Sequence, residues 1–319
     1  MSKRNITKFS SFVIFVMFAS IAAGCSHASI SGEGKLAANA EQNKDYEKPK
    51  VMGTISNPEI TESSGLAASR CQNGVLWTHN DAGSGPFIFA FSPEGRSLGT
   101  WRVTNGENRD WEDIDIFKDE SGKCFLYIGD IGDNKSGRSG YRIYRIAEPQ
   151  ITPDTAGTTE KQPAVSTAAE VLNYVYSDSP HNAETMMVHP STGDIYVLTK
   201  RVDGPSLVFK IAPSFGTNET VKASKIGELA VPAVPNGLLT GGAISPDGKR
   251  AVVCDYTSGY EIALPPDSKS FDDIWKQKPT VVDLGDRKQG EAVEYTPDGK
   301  MILATSEKKN SPITAVVRK

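Results

Sequence analysis

The chain has 319 residues, 38% of them hydrophobic and 23% charged, with a net charge of −4. That is an ordinary globular composition, and it excludes a chain built around a basic nucleic-acid surface. The length suits one large all-β domain, expected as a monomer, behind an export segment.

Residues 1–25 read as that segment. Lys3, Arg4 and Lys8 form a basic start, and Phe9 to Gly24 is an apolar run too short for a comfortable membrane span. It ends Ala22-Ala23-Gly24-Cys25, which resembles the lipobox of bacterial lipoprotein signals. The expectation is a signal peptide removed before Cys25, with Cys25 carrying the lipid (palmitate) that anchors the protein to a membrane. An ordinary secretory signal with a chance cysteine is the alternative. Either way the mature chain is extracytoplasmic, in or beyond the cell envelope. Residues 26–50 are polar and aperiodic and read as a flexible tether.

The domain is expected over 51–319. VMGTISN, from Val51, is a strand with no hairpin partner of its own. Beyond it one phrase recurs: a polar leader, an apolar strand, a turn, a second apolar strand. The clearest copy is QGEAVEYTPDGKMILATSE at 289–307, with Asp298-Gly299 at the turn. Other copies follow Ser64, Glu112, Glu184 and Thr240. The leaders recur about every 50 residues, with one interval near 70, which is the period of a β-propeller built from four-stranded blades. Five blades are preferred, with six as the alternative. The last hairpin leaves room for only a third strand, so VMGTISN is expected to close the final blade. Pro149 to Ala169 reads as a surface insertion in blade two.

Cys71 and Cys124 occupy like positions in neighbouring blades. A disulfide between them and a pair of unbonded buried thiols both remain open. Cys254, in RAVVCDY, reads as core.

The leading residue of each innermost strand points toward the axis. Ser64, Glu112, Glu184, Thr240 and Glu291 therefore make a ring, although Glu62 and Ser63 compete with Ser64 for its place. Three carboxylates on one axis must protonate, find backbone partners or recruit a cation. Oxygen donors without His or Cys favour Ca²⁺. A second ring is expected at the ends of the second strands: His79, Asn80 and Asp81; Asp130, Asp133 and Asn134; Lys200 and Arg201; Asp255 and Tyr256; Glu307 and Lys308. GDIGDN at 129–134 reads either as a loop presenting carboxylates or as an Asp-capped turn. No Gly-x-Ser-x-Gly, His-Glu-x-x-His or phosphate-binding glycine loop is present, so any hydrolysis would use a metal-assisted water.

HNDAG, DWEDI, YIGDIGDN, SPDG, QGEAVEY and TSE resemble a family of exported bacterial propellers, over about residues 51–319. More distantly, the order Ser64, Glu112, Glu184, Thr240, Glu291 resembles the hydroxyl and glutamate order around the central calcium of five-bladed calcium-dependent apyrases. Phytase-like and lactonase-like calcium propellers share the architecture. The resemblance implies Ca²⁺ on the axis and, at the mouth, a small-molecule or protein ligand. A calcium-dependent hydrolase of phosphate esters or lactones and a scaffold with structural calcium are both compatible with it.

Overall fold

The structure is a computed structural model that describes residues 35–319. Cys25 and the export segment lie outside the described residues. Two strands come first, β1 (Lys35–Leu36) and β2 (Lys50–Thr54). A first antiparallel unit follows: β3 (Ser63–Ala68), β4 (Leu76–Asn80), β5 (Phe87–Phe91) and β6 (Ser97–Thr104). The second takes β7 (Trp111–Lys118), β8 (Cys124–Asp130) and β9 (Tyr141–Ala147). A 3₁₀ turn (Pro153–Gly157) and β10 (Ala164–Ala168) intervene before its outer strand, β11 (Glu170–Tyr176). The third comprises β12 (Ala183–Val188), β13 (Ile195–Thr199), β14 (Ser206–Ile211) and β15 (Thr220–Leu229).

After the short β16 (Ala233–Val234), the fourth unit has β17 (Gly241–Ile244), β18 (Arg250–Cys254), β19 (Gly259–Ala263) and β20 (Thr280–Val282). A 3₁₀ turn (Phe271–Lys276) precedes β20. The last unit has β21 (Gly290–Tyr295), β22 (Met301–Ser306) and β23 (Pro312–Val317). Its fourth strand is β2, paired antiparallel with β23. VMGTISN thus sits on the last hairpin, and the outer edge of β23 is covered.

The arrangement is all-β and propeller-like. In each unit the strands run outward in order from the first, except that β2 caps the last. β11 and β15 pair in parallel, joining the second and third units into an eight-stranded sheet whose end strands, β7 and β12, pack together. Side chains from adjacent units interleave to form the cores. Trp77 and Trp101 meet Ile114 and Tyr144, Tyr127 meets Met186 and Phe209, and Tyr196 meets Tyr260. Val252 meets Tyr295, and Leu303 and Ile313 return to Phe89 and Phe91 in the first unit. Each large apolar side chain so buried contributes about 1.5–3 kcal/mol. The innermost strands β3, β12 and β21 are buried at every position, because sheets cover both their faces.

Polar groups stitch the innermost strands together. Asp113 and Asp115, two apart on β7 and so on the same side of it, accept the Met186 and Val188 N–H groups of β12 at 2.9 and 2.6 Å. Ser64 Oγ donates to the Glu112 carbonyl at 2.6 Å, and Thr240 Oγ1 to the Gly290 carbonyl at 2.8 Å. Gly65, at φ +75°, lets β3 approach β7. A Cβ there would lie 2.5 Å from the Ile114 nitrogen.

Cys71 and Cys124 form a disulfide across 53 residues of chain. Closing a loop of that length stabilises the fold by about 4 kcal/mol in the chain-entropy account. Cys254 is free and buried in the core.

Two expectations change. Residues 35–50 are not a free tether. β1 pairs with β16, Asn43 N–H donates to the Val281 carbonyl, and Tyr46 is buried against the fourth and fifth units. The segment lacks periodicity because it docks through single residues and not through a face. The stretch 149–169 also does more than cover the surface. Its β10 adds to the first unit, parallel to β6.

Candidate functional site

Glu112, Glu184 and Glu291 lie near the starts of β7, β12 and β21, and all three are buried. Lys200, just past the end of β13, reaches in among them. Its Nζ donates to Glu184 Oε2 at 2.5 Å and to the Tyr256 hydroxyl at 2.7 Å. Its positive charge also acts on Glu112, Glu291, Glu307 and Asp81. One ammonium thus serves a crowd of carboxylates: desolvation works against its charge, but Glu184 and Glu291 outweigh it and raise the Lys200 pKa.

The carboxylates not bonded to Lys200 fall into two groups. Carboxylate oxygens of Asp81, Asp110 and Glu112 lie within 4.8 Å of one another. Desolvation, then repulsion from Glu184, Asp81 and Asp110, pushes Glu112 well above the usual carboxylate range. Desolvation and Asp81 raise Asp110 to about 6. Gly132 packs directly on this group: a Cβ there would fall 2.1 Å from Glu112 Oε1 and 2.5 Å from Asp110 Oδ2. Glu291 and Glu307 form the second group. Burial and then Glu184 raise Glu291 well above its usual range, and Glu307 is also raised by burial. Gln289 Nε2 steadies Glu307 at 2.6 Å.

Ser64 and Thr240 are buried in the expected ring, but each donates its hydroxyl hydrogen to a backbone carbonyl. With Lys200 against Glu184, the five ring residues do not offer five free donors around an empty axis. Of the competitors for the Ser64 position, Ser63 bonds to Thr78 at 2.8 Å and Glu62 is exposed.

The second ring divides. Asp81, Lys200, Tyr256 and Glu307 belong to the mouth. Lys308 is exposed, and the others bond within or beside their own loops. Asn80 Oδ1 accepts the Thr61 and Glu62 N–H groups, and its Nδ2 donates to the Glu59 carbonyl. Asp130 pairs with Arg138 at 2.8 Å. Asp133 accepts from the Gly137 and Arg138 N–H groups and the Tyr141 hydroxyl, so GDIGDN is an Asp-capped loop. Asn134 is exposed and meets Asn182. Arg201 follows Lys200 but pairs within its own loop, with Asp203 at 3.0 Å. Asp255 caps its own turn through the Thr257 and Ser258 N–H groups and takes the Tyr260 hydroxyl. His79 is fully buried, donates from Nδ1 to the Asn80 carbonyl in its neutral form, and is pushed by burial down to about 4. His181 pairs with Asp178.

Asp110 and Gly132 are the additions. Asp110 stands two residues before Glu112, at the bend that leads into β7, where their carboxylates come together. That spacing is visible in DWEDI.

No protein family matches the sequence, and no curated protein does. Among solved structures, a gluconolactonase from Xanthomonas campestris aligns at 11% identity and a TM-score of 0.46, covering 90% of this chain and 98% of its own. The soluble aldose sugar dehydrogenase of Escherichia coli aligns at 11% identity and a TM-score of 0.42, covering 85% and 99%. Alignments at this level decide neither fold nor activity. The strand order carries the fold.

Proposed function

We propose that the chain is a five-bladed propeller, lipid-anchored at Cys25 in the cell envelope, that holds Ca²⁺ at its mouth and hydrolyses a phosphate ester or lactone there. Five innermost strands, each packed against two others, support the blade count. The observation that carries the site is the Asp81, Asp110 and Glu112 cluster, whose three oxygens converge while Lys200 is engaged by Glu184. All three donors are hard oxygens, as Ca²⁺ prefers, and Gly132 lets the Glu112 and Asp110 carboxylates pack against its backbone, where any side chain would collide with them. The ion is therefore placed beside Glu112 and off the five-residue ring, whose Ser64, Glu184, Thr240 and Glu291 have other partners.

A bound Ca²⁺ would supply Lewis acidity toward a phosphoryl or carbonyl oxygen. The chain's own residues do the rest. Lys200 and Tyr256 hold an anionic substrate oxygen by charge and hydrogen bond. Burial and then Glu184 raise the Glu291 pKa, which suits it to give a proton to the leaving group.

In chelator-stripped protein, Ca²⁺ should raise the melting temperature more than Mg²⁺ does. At a hundredfold excess over Kd the gain is about 2.7 kcal/mol. Asp110→Asn should abolish it. Turnover of nucleoside diphosphates, phytate and lactones should then depend on Ca²⁺. A melting curve indifferent to Ca²⁺ would sink the metal site. A Ca²⁺ response without turnover would leave a calcium-stabilised binding scaffold. The anchor is tested separately: Cys25→Ser should move the protein from the membrane to the soluble fraction with its melting temperature unchanged, and wild-type protein without acyl chains by mass spectrometry would refute it.

A further inference from the structure

A second cavity lies between the third and fourth units, at the end of β12 opposite Glu184. Its volume is about 350 Å³, at the small end for ligand sites. The hairpin turns at 189–194 and 245–248 and the loop before Phe271 enclose it. None of its lining takes part in the mouth described above.

Its chemistry can be read atom by atom. His189 Nδ1 faces the backbone N–H groups of Ser191 and Thr192 at 3.4 and 3.3 Å. An N–H can only donate, so Nδ1 accepts and the ring proton sits on Nε2. Burial also lowers the His189 pKa, which keeps that tautomer neutral. Nε2 makes no hydrogen bond among the described residues and lies beside Gly248, where a Cβ would approach it to 3.1 Å. The cavity therefore has a fixed, unused N–H donor.

Beside it, Lys210 bridges Asp194 at 3.0 Å and Asp272 at 3.1 Å, and the Tyr196 hydroxyl donates to Asp272 at 2.6 Å. Asp194 and Asp272 hold Lys210 between them, and Lys269 stands exposed on the closing loop. Phe271 packs against both His189 and Tyr196, with ring centroids at 4.8 and 5.3 Å, and gives the cavity an aromatic wall. An aromatic wall, a neutral donor, and a lysine and carboxylates paired with one another match a small ring bearing several hydroxyls. Asp194, Asp272 and Lys210 already satisfy one another, so a free ion gains only the solvent-screened Lys269.

We infer that this cavity is a binding site for a neutral monosaccharide, separate from the mouth and independent of Ca²⁺. Saturation-transfer NMR on the full domain tests it, with glucose, galactose and mannose as probes and glucuronate and glucosamine as charged counterparts. At least one neutral hexose should bind, with Kd on the order of millimolar, and each charged sugar at least severalfold more weakly. Ser268→Trp and Lys269→Trp, on the loop that closes the cavity, should each remove the signal while the melting temperature holds. Asp110→Asn and chelator should leave it intact. No binding by any of the three hexoses, binding that survives both tryptophan variants, or equal binding of the charged sugars would overturn the inference.

Discussion

A Lys200→Met variant is expected to lose about 3–5 kcal/mol of stability at neutral pH in the presence of chelator. In a domain of this size that lowers the melting temperature on the order of 10 °C. Lys200 is the cation bonded to Glu184, and its side chain is only 15% exposed. Removing it leaves Glu184 without its partner and Glu112, Glu291, Glu307 and Asp81 without the charge that offsets their repulsion. The Tyr256 hydroxyl loses its donor as well.

The pH dependence has a definite sign. Glu112, Glu184 and Glu291 have raised values in the folded protein, so each is favoured in its protonated form. Their contribution falls as pH climbs above the unfolded glutamate value near 4.3. The folded Lys200 pKa is raised, so its stabilisation is fully present below the unfolded lysine value near 10.4 and is lost only as pH rises through the folded one. Between those limits wild type keeps the ammonium and the variant does not. The deficit of Lys200→Met should therefore be small near pH 5 and grow toward pH 8. Adding Glu184→Gln should recover part of it, because a neutral pair replaces an orphaned charge. Thermal melts of the single and double variants across that range check this. A deficit that does not change with pH would show that Lys200 matters for packing and not for charge.

The strand plan was legible because every unit repeats the same local signal. An apolar strand, a Gly-containing turn and a second apolar strand need no tertiary information, and β21–β22 shows them most fully. The leading glutamates were legible for the same reason, since the first strand of a unit has one inward end. What those side chains then bond to was not. The Ser64 and Thr240 hydroxyls go to carbonyls on neighbouring units, a choice set by strand spacing across the ring. Asp133 and Asp255 stand beside mouth residues in sequence yet cap their own loops, because an Asp at a turn reaches nearby N–H groups first. Arg201 differs from Lys200 by a single step along the chain, yet it pairs with Asp203 in its own loop and not with the mouth carboxylates. Asp110 was accessible from its two-residue spacing to Glu112. Gly132 was not, because only the folded chain brings that backbone against two carboxylates.

The stretch ahead of β2 carries the other large expectation. A chain starting at Lys50 should be less stable than one starting at Lys35 by about 3–5 kcal/mol, although both retain the strand that covers β23. Tyr46 is 7% exposed and sits in the core shared by the fourth and fifth units. Losing a buried ring of that size costs about as much as a Phe→Ala change. Its hydroxyl donates to Glu261 Oε1 at 2.5 Å, and Asn43 Nδ2 donates to Glu261 Oε2 at 2.9 Å. Glu261 also takes the Tyr295 hydroxyl at 2.8 Å and Arg250 at 3.3 Å. The shorter chain removes two of these four donors and opens the carboxylate to water. Tyr46→Phe isolates the hydrogen bond and should cost about 1.5–3 kcal/mol, since the acceptor is charged. Tyr46→Ala should approach the full truncation. Denaturant melts of the two chain lengths and both variants decide the matter: equal stability of the two chain lengths would return residues 35–49 to the role of a tether, while a loss in the truncation that Tyr46→Ala does not reproduce would place the contribution in the β1–β16 pairing instead.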